Sequence, residues 1–425
     1  MRKAFPTKFA PFVVIVGFTA LSFSLFANGH SPDLQATWLA GHFFAQGAMD
    51  QIYPGETELF TMLPPTHWWP YLEAEGRHGS VFPYIYPPLW AAISGVLSDR
   101  TTIDGFQVAA SVVNPLLMGA MFLIAGRMSG ARELQLLFHC VFGLAVMLIV
   151  WPGAVALEQN QPQILVSFLI LFAFERDRAG AARTAGSILA LAAAIKLYPA
   201  VFALVWLAGR RWNSALSFIV VGALLGGLSV LLTGWTLHQV FLGQVNAVRE
   251  TVLVSNLSYG FDAAIAQLFF ADDFTFVAGL DNPDGTVAPA GWFILQKSAV
   301  WSACSTVALC LVLIAAMYRQ IRNPDPFDLP VLVIAVALVS PLSWGYHYLP
   351  ALAFLPVLLP RFGVRTGGFL TLVIVMPLTI ASFGPLSSIG MVPMAPQIAG
   401  TLSMIVLGFA LFFAPSDQSE QESGT

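Results

Sequence analysis

The sequence predicts an all-α integral membrane protein, a polytopic bundle of about twelve transmembrane helices with short interfacial helices in its outward loops. Three observations carry that prediction. Of 425 residues, 57% are hydrophobic and only 10% are charged, and the mean hydropathy is +0.75, which leaves too little polar surface for a soluble fold of this size. Apolar runs close to membrane length recur from Phe9 to Ala414. Arginine collects at one end of those runs, the pattern of a positive-inside membrane protein. The formal net charge of -4 comes without a basic block, so nucleic acid is not an expected partner. Cys140, Cys304 and Cys310 lie inside apolar segments without CxxC or Cys/His spacing. They read as small buried packing residues, and neither a disulfide framework nor a metal site is expected.

Taken in order, Arg2, Lys3 and Lys8 precede an apolar run from Phe9 to Ala27 that imitates a secretory signal. Because many spans follow, an uncleaved first membrane helix is the expectation. In Ser31-Pro32-Asp33-Leu34-Gln35, Pro32 suits a helix start and puts Asp33 in the first turn of a short helix reaching about Gly47. Leu34, Trp38 and Ala45 fall on one side, which would lay that helix on the bilayer surface. Residues 28–102 are polar, aromatic and proline-rich, including Pro64-Pro65-Thr66-His67-Trp68-Trp69-Pro70 and Tyr84-Ile85-Tyr86-Pro87-Pro88, and read as an ordered outward loop. Leu89 to Leu97 is too short to cross and is expected to dip into the membrane edge.

Further apolar runs fall near 104–126, 134–151, 160–175, 181–195, 197–209, 213–233, 291–318, 329–341, 348–360, 369–383 and 397–414. This assignment puts Arg127, Arg132, Arg176, Arg178, Arg183, Arg210, Arg211, Arg319, Arg322, Arg361 and Arg365 on the side of the amino terminus, and only Arg77, Arg100, Lys196, Arg249 and Lys297 on the other. Both long loops, 28–102 and 234–290, then face outward. The reading is one transmembrane domain over 1–415 and a polar, acidic, disordered cytoplasmic tail over 416–425. A transporter commonly shows two related halves; no repeat is evident here, and only one face is elaborated.

The polar residues that interrupt apolar runs gather at the outward ends. Asp33 stands where a helix meets water, suited either to chemistry or to capping. Glu158-Gln159-Asn160-Gln161 opens a span with a charge and three amides, costly unless they face water, a ligand or one another, although Asn160 and Pro162 are also ordinary helix-start residues. Lys196 closes an apolar run and is flanked by Leu197, Tyr198 and Pro199. A lysine there either wants an anion, such as a lipid phosphate, or snorkels to the interface. Ser340-Pro341-Leu342-Ser343-Trp344-Gly345-Tyr346-His347-Tyr348 brings an imidazole, hydroxyls and aromatic faces together, and His347 also reads as a structural histidine. Asn256-Leu257-Ser258 suits a phosphate or sugar oxygen, a polar turn or an unused glycosylation sequon. Trp68, Trp69, Tyr71, Tyr84, Tyr86 and Trp90 could stack on sugars but fit an interfacial belt better. Asp272-Asp273 and Glu56-x-Glu58 read as solvated rather than metal-binding.

In this order, Asp33, Tyr86-Pro87-Pro88, Glu158-Gln159-Asn160, Lys196-Leu197-Tyr198-Pro199, Asn256-Leu257-Ser258 and Ser340-Pro341-Leu342-Ser343-Trp344 with His347 resemble glycosyltransferase family 87. The resemblance runs from about residue 31 to 350 and is strongest from Glu158 to Trp212. It departs where the family usually has glycine and this chain has Glu158, and where the family often has His-His and this chain has Tyr346-His347. The resemblance implies a GT-C-like fold and a transferase moving a sugar, mannose above all, from a polyprenyl-phosphate donor to a lipid or glycan acceptor, with inversion. It makes Asp33 the general base; Lys196, His347, Asn256 and Ser258 donor-phosphate contacts; and Glu158, Gln159, Asn160, Tyr198, Tyr86 and Trp344 substrate contacts. No cofactor or metal is implied. The expected place is a bacterial inner membrane with both termini cytoplasmic and the site facing the periplasm. A lipid-linked-sugar flippase, an O-antigen ligase or polymerase and a non-catalytic assembly subunit are the competing classes.

Overall fold

The computed structural model describes residues 9–55, 58–77, 79–278, 291–322, 324–389 and 394–415. Arg2, Lys3, Lys8, Glu56 and the 416–425 tail fall outside them. The chain opens with α1 (Ala10–Phe26), α2 (Pro32–Ala45), α3 (Trp68–Ala74) and α4 (Pro88–Ser98). The long α5 (Ile103–Met128) leads into α6 (Glu133–Ile149), the short α7 (Trp151–Glu158), α8 (Pro162–Arg178) and α9 (Ala182–Ile195). After a 3-10 turn, α10 (Ala203–Ala208) precedes α11 (Trp212–Glu250). Then come β1 (Thr251–Val254), α12 (Phe261–Phe269), β2 (Thr275–Ala278), β3 (Gly291–Gln296), α13 (Ala299–Arg322), α14 (Asp328–Val339), α15 (Leu349–Leu352), α16 (Leu358–Val375), α17 (Ile380–Ser387) and α18 (Ala395–Phe412).

Helix α9 packs between α8 and α11, α5 between α1 and α8, and α6 against α1 and α5. The later helices α13, α14, α18 and α16 continue as successive neighbours, and α15 joins them to α8. Among the described residues, five stretches are long and apolar enough to cross a membrane: Ile103–Met128, Trp212–Glu250, Ala299–Arg322, Leu355–Leu378 and Ala395–Phe412. Ala10–Phe26, Pro88–Ser98, Glu133–Ile149, Ala182–Ile195, Tyr198–Ala208 and Asp328–Val339 are apolar but shorter. The most hydropathic windows of α11 and α13 are only 11% and 6% buried, surfaces that water would not tolerate and a bilayer would. The protein is an integral membrane protein.

Several sequence expectations change. The run over 291–318 begins as strand: β3 pairs antiparallel with β1 and β2 in a three-stranded sheet of order β1-β3-β2, so the helical segment starts only at Ala299. That sheet also departs from a purely helical fold, and its strand β1 is a short continuous apolar run, Val252, Leu253 and Val254, buried on both faces, a pattern that fits a buried strand. The predicted surface helix is instead a packed one. In α2 the residues from Leu34 to Gly41 are all buried, too completely for a helix lying on lipid, and Ala45 is exposed. The cause is its crossing with α4, where a Cβ on Gly41 would stand 2.4 Å from the Ser94 carbonyl carbon. Only glycine permits that approach. Cys304 and Cys310 are exposed on α13, and only Cys140 is buried.

Trp68, Tyr84 and Tyr86 do not form an interfacial belt. They are 0%, 0% and 3% exposed and join Trp38, Leu39, Phe43 and Phe241 in a separate apolar core beneath α2 and α4. The Tyr53 hydroxyl donates to the Tyr86 carbonyl at 2.7 Å and the Tyr84 hydroxyl to the Pro87 carbonyl at 3.0 Å, so these two buried phenols are partnered. Helix α11 reaches this core through a break at Gly234, whose φ of 76° and ψ of 157° belong to conformations that glycine adopts without strain. The residues after the break, Leu237 and Phe241 among them, turn onto the second core.

Candidate active site

The start of α2 is pinned to the turn between α7 and α8. Ser31 Oγ donates to the Glu158 carbonyl at 2.7 Å. Asn160 Nδ2 donates to Ser31 Oγ at 3.2 Å and to Ser111 Oγ at 3.1 Å, and Asn114 Nδ2 donates to Asn160 Oδ1 at 3.2 Å. Asn160 has φ of 48°, a left-handed conformation that asparagine tolerates better than most residues. This network sets Asp33 opposite Gln161, whose Nε2 donates to Asp33 Oδ2 and also to Gln159 Oε1 at 3.2 Å. The carboxylate is therefore engaged across the fold, with a residue 128 positions away.

Lys196 caps α9 in extended conformation, φ -142° and ψ 135°, which carries its side chain out of the helix. Its Nζ donates to Gln163 Oε1 at 3.2 Å and lies 3.1 Å from His347 Nε2. The rings of Tyr86 and Tyr346 stand 5.4 and 5.8 Å away, in cation–π range. Gln163 is 0% exposed and its Nε2 donates to the Tyr198 hydroxyl at 2.7 Å and to Ser167 Oγ at 3.0 Å. His347 Nδ1 accepts the Trp344 N–H at 3.2 Å. A neutral imidazole accepts at only one nitrogen, and an ammonium has three donors, so the protein leaves Lys196 donor capacity for another oxygen.

These groups share one cavity of about 470 Å³, lined at its polar end by Asp33, Gln159, Lys196, Tyr198 and His347. Tyr86, Trp344 and Tyr346 wall it with aromatic surface, and Leu197, Phe82, Phe241, Val245 and Val248 give it an apolar flank. Asp33, in the first turn of α2, and Lys196, just past the end of α9, stand outside the stretches long and apolar enough to cross a membrane. Burial raises the Asp33 carboxyl to about 7 even though Lys196 and the Gln161 hydrogen bond pull it down. Burial lowers Lys196 to about 8, against the raising influence of Asp33. His347 is pushed well below its ordinary value by burial and by Lys196. The result is an acid and an amine, both poised near neutrality, facing one space.

The structure thus brings together Asp33, Gln159, Lys196, Tyr198, His347, Tyr86 and Trp344. It does not bring Glu158, which is exposed and contributes its carbonyl to Ser31, or Asn160, which holds the scaffold beneath the wall. Asn256 and Ser258 also lie off the lining, where Ser255 and Leu257 stand instead. The Ser258 hydroxyl closes its own turn, accepting the Ser255 N–H at 2.9 Å and donating to the Ser255 carbonyl at 2.9 Å. Gln163 is the site residue that the sequence reading passed over, whereas Gln161 and Tyr346 stood out in it without a role being given to them. A signal existed for Gln163: an amide just inside an apolar run, in a fold that also buries a lone lysine.

The fold and cavity define a class, a helical membrane protein in which a buried acid and amine line one cavity. Residues 84–342 match the description Glycosyltransferase family 87, and the chain belongs to that family. The matched stretch contains Tyr86, Gln159, Gln161, Gln163 and Lys196, whereas Asp33, Tyr346 and His347 lie outside it. The chain is also 28% identical, over 305 residues and 66% of its length, to a polyprenol-phosphate-mannose-dependent alpha-(1-2)-phosphatidylinositol mannoside mannosyltransferase of Mycobacterium tuberculosis. It spans 63% of that relative's length.

Proposed function

We propose that the protein is a membrane glycosyltransferase that moves a sugar, mannose in the first instance, from a polyprenyl-phosphate donor to a lipid or glycan acceptor. The observation that carries this reading is the meeting of Asp33 and Lys196 on one cavity that is polar at one end and apolar along a flank. The acceptor hydroxyl oxygen attacks the anomeric carbon as its proton passes to Asp33. The bond from that carbon to the phosphate oxygen breaks with inversion, and the electron pair leaves on polyprenyl phosphate. Lys196 meets the charge that develops there, assisted by His347. The apolar flank formed by Leu197, Phe241, Val245 and Val248 suits the first isoprene units. Family membership and the donor in the mycobacterial relative's name support the donor class.

The same reading has about twelve crossings, with the shorter helices spanning as packed partners of the longer ones. It puts both termini in the cytoplasm of a bacterial inner membrane, and Asp33 and Lys196 toward the periplasm, following the arginine distribution. The test is purified protein with polyprenyl-phosphate mannose and lipid acceptors, the product followed by mass spectrometry. A new glycosidic bond with release of polyprenyl phosphate is expected. Movement of donor across the bilayer without bond formation would identify a flippase instead.

Two further outcomes are expected of the active enzyme. The base must be ionised and the amine protonated, so kcat/KM rises with pH through about 7 and falls through about 8, a narrow bell whose limbs belong to the pair together. A profile flat across that interval removes the pair from the mechanism. Gln163→Glu puts a carboxylate where the amide oxygen holds Lys196 Nζ at 3.2 Å. The new anion competes with donor phosphate, and donor KM rises about tenfold, the size of one charge-assisted contact. An unchanged donor KM would show that Lys196 does not hold the phosphate.

A further inference from the structure

At the arginine end of the bundle, α8, α10, α13, α14 and α18 enclose a second cavity of about 700 Å³, a size that holds small ligands. Its rim carries Arg178, Arg211, Arg319 and Arg322 against Asp177, Asp325 and Asp328. Two ion pairs account for part of this: Arg211 with Asp177, joined by Ser214 Oγ at 2.5 Å, and Arg319 with Asp328. Arg319 also lies 4.3 Å from the Phe412 ring centroid. Four arginines against three aspartates leave one surplus positive charge. It sits with Arg178 and Arg322, neither of which makes a carboxylate ion pair among the described residues. Arg178 donates to the Met128 carbonyl at 3.0 Å, repelled by Arg211 and drawn by Asp325 and Glu175. Arg322 has the Tyr318 ring at 5.6 Å.

The inner wall is apolar. Val312, Ala315 and Ala316 of α13 face Val331 and Ala335 of α14, and the small side chains leave a slot between the two helices. Helix α13 is 6% buried over its most hydropathic window, so this wall continues onto the lipid-facing surface. Trp206, also on the wall, has an indole N–H without an acceptor among the described residues.

A cationic rim with a surplus of one charge above an apolar slot calls for an amphipathic ligand with one net negative charge. We infer that this cavity binds an anionic membrane phospholipid, its phosphodiester between Arg178 and Arg322 and an acyl chain along α13 and α14. A zwitterionic phospholipid brings its own ammonium and does not neutralise the rim. Free phosphate has no use for the slot. The site is independent of the reaction assigned to the Asp33 end.

The test uses the full chain in detergent, titrated with phosphatidylglycerol, phosphatidylcholine or inorganic phosphate, with bound lipid counted by native mass spectrometry and unfolding followed by Tm. Phosphatidylglycerol is expected to remain bound and to raise Tm, and phosphatidylcholine to bind about tenfold more weakly. The double variant Arg178→Gln with Arg322→Gln loses about tenfold in affinity for phosphatidylglycerol, two partly exposed charge contacts together. Arg132→Gln, an exposed arginine at the same end of the bundle, keeps wild-type affinity. If the double variant does not fold, Arg322→Gln alone, an exposed side chain, gives about a threefold loss. Unchanged affinity in the folded arginine variant overturns the inference. So does equal binding of phosphatidylcholine, or displacement of the lipid by inorganic phosphate.

Discussion

Asp33→Asn inserts and folds as the wild type does but loses sugar transfer by about two to four orders of magnitude in kcat, the range that a positioned general base contributes. Asparagine is nearly isosteric, and its Oδ1 still accepts from Gln161 Nε2. The clamp of Ser31, Asn160 and Ser111 that sets the start of α2 is untouched. The helix itself rests on a core of Trp38, Leu39, Phe43 and Tyr84 that the substitution does not reach. What disappears is a group able to take a proton near neutrality. Donor binding should be kept or tightened, because an ionised carboxylate no longer faces the donor phosphate across the cavity. The measurement is single-turnover transfer beside equilibrium binding of donor. An asparagine variant with near-wild-type turnover removes Asp33 from the chemistry and leaves it as part of the scaffold.

The parts of this fold that were legible in the sequence are those governed by local pattern. Apolar runs gave the long apolar helices, Pro32 gave the start of α2, the run from Leu89 to Leu97 gave the body of α4, and the apolar run of α11 ended at Gly234. Three-dimensional placement was less legible, because it depends on partners distant in sequence. The burial of α2 rests on backbone contact with α4, and the aromatic residues from Trp68 to Tyr86 read as interfacial until their common core is seen. The amides illustrate the same limit. Gln159, Asn160, Gln161 and Gln163 look alike along the chain, yet one lines the cavity, one locks the scaffold, one meets Asp33 and one holds Lys196.

The exceptions to the positive-inside pattern sort themselves in a way that singles out the site. Arg77 pairs with Asp104 at 2.6 Å, Arg249 lies 3.8 Å from Glu250, and Lys297 is buried against Asp262 at 2.5 Å with Trp301 Nε1 donating to the same carboxylate at 2.8 Å. Arg100 is exposed. Lys196 alone among these is enclosed without a carboxylate at ion-pair distance among the described residues. Its one acceptor among those residues is an amide oxygen, and an imidazole and two aromatic faces are its other neighbours. A structural ammonium is stabilised by a carboxylate; one held by neutral groups keeps its charge for a ligand.

That difference sets the outcome for Lys196→Met. Methionine preserves length and apolar packing against Tyr86 and Tyr346 while deleting the charge, so the cavity keeps its shape. Donor binding weakens and the leaving phosphate loses its stabilising charge, and kcat/KM for donor falls by about two to three orders of magnitude, as when a preorganised electrostatic contact is removed. The pH profile distinguishes this from a packing defect. Lys196 lowers the Asp33 carboxyl in the wild type, so its removal moves the rising limb above about 7 and abolishes the falling limb that the amine supplies. Lys196→Arg should restore part of the donor affinity but not the geometry with Gln163 and His347, because a guanidinium is planar and longer. If methionine leaves both the donor dependence and the acidic limb where they were, Lys196 is a buried lysine that the fold tolerates, and the phosphate must be held elsewhere.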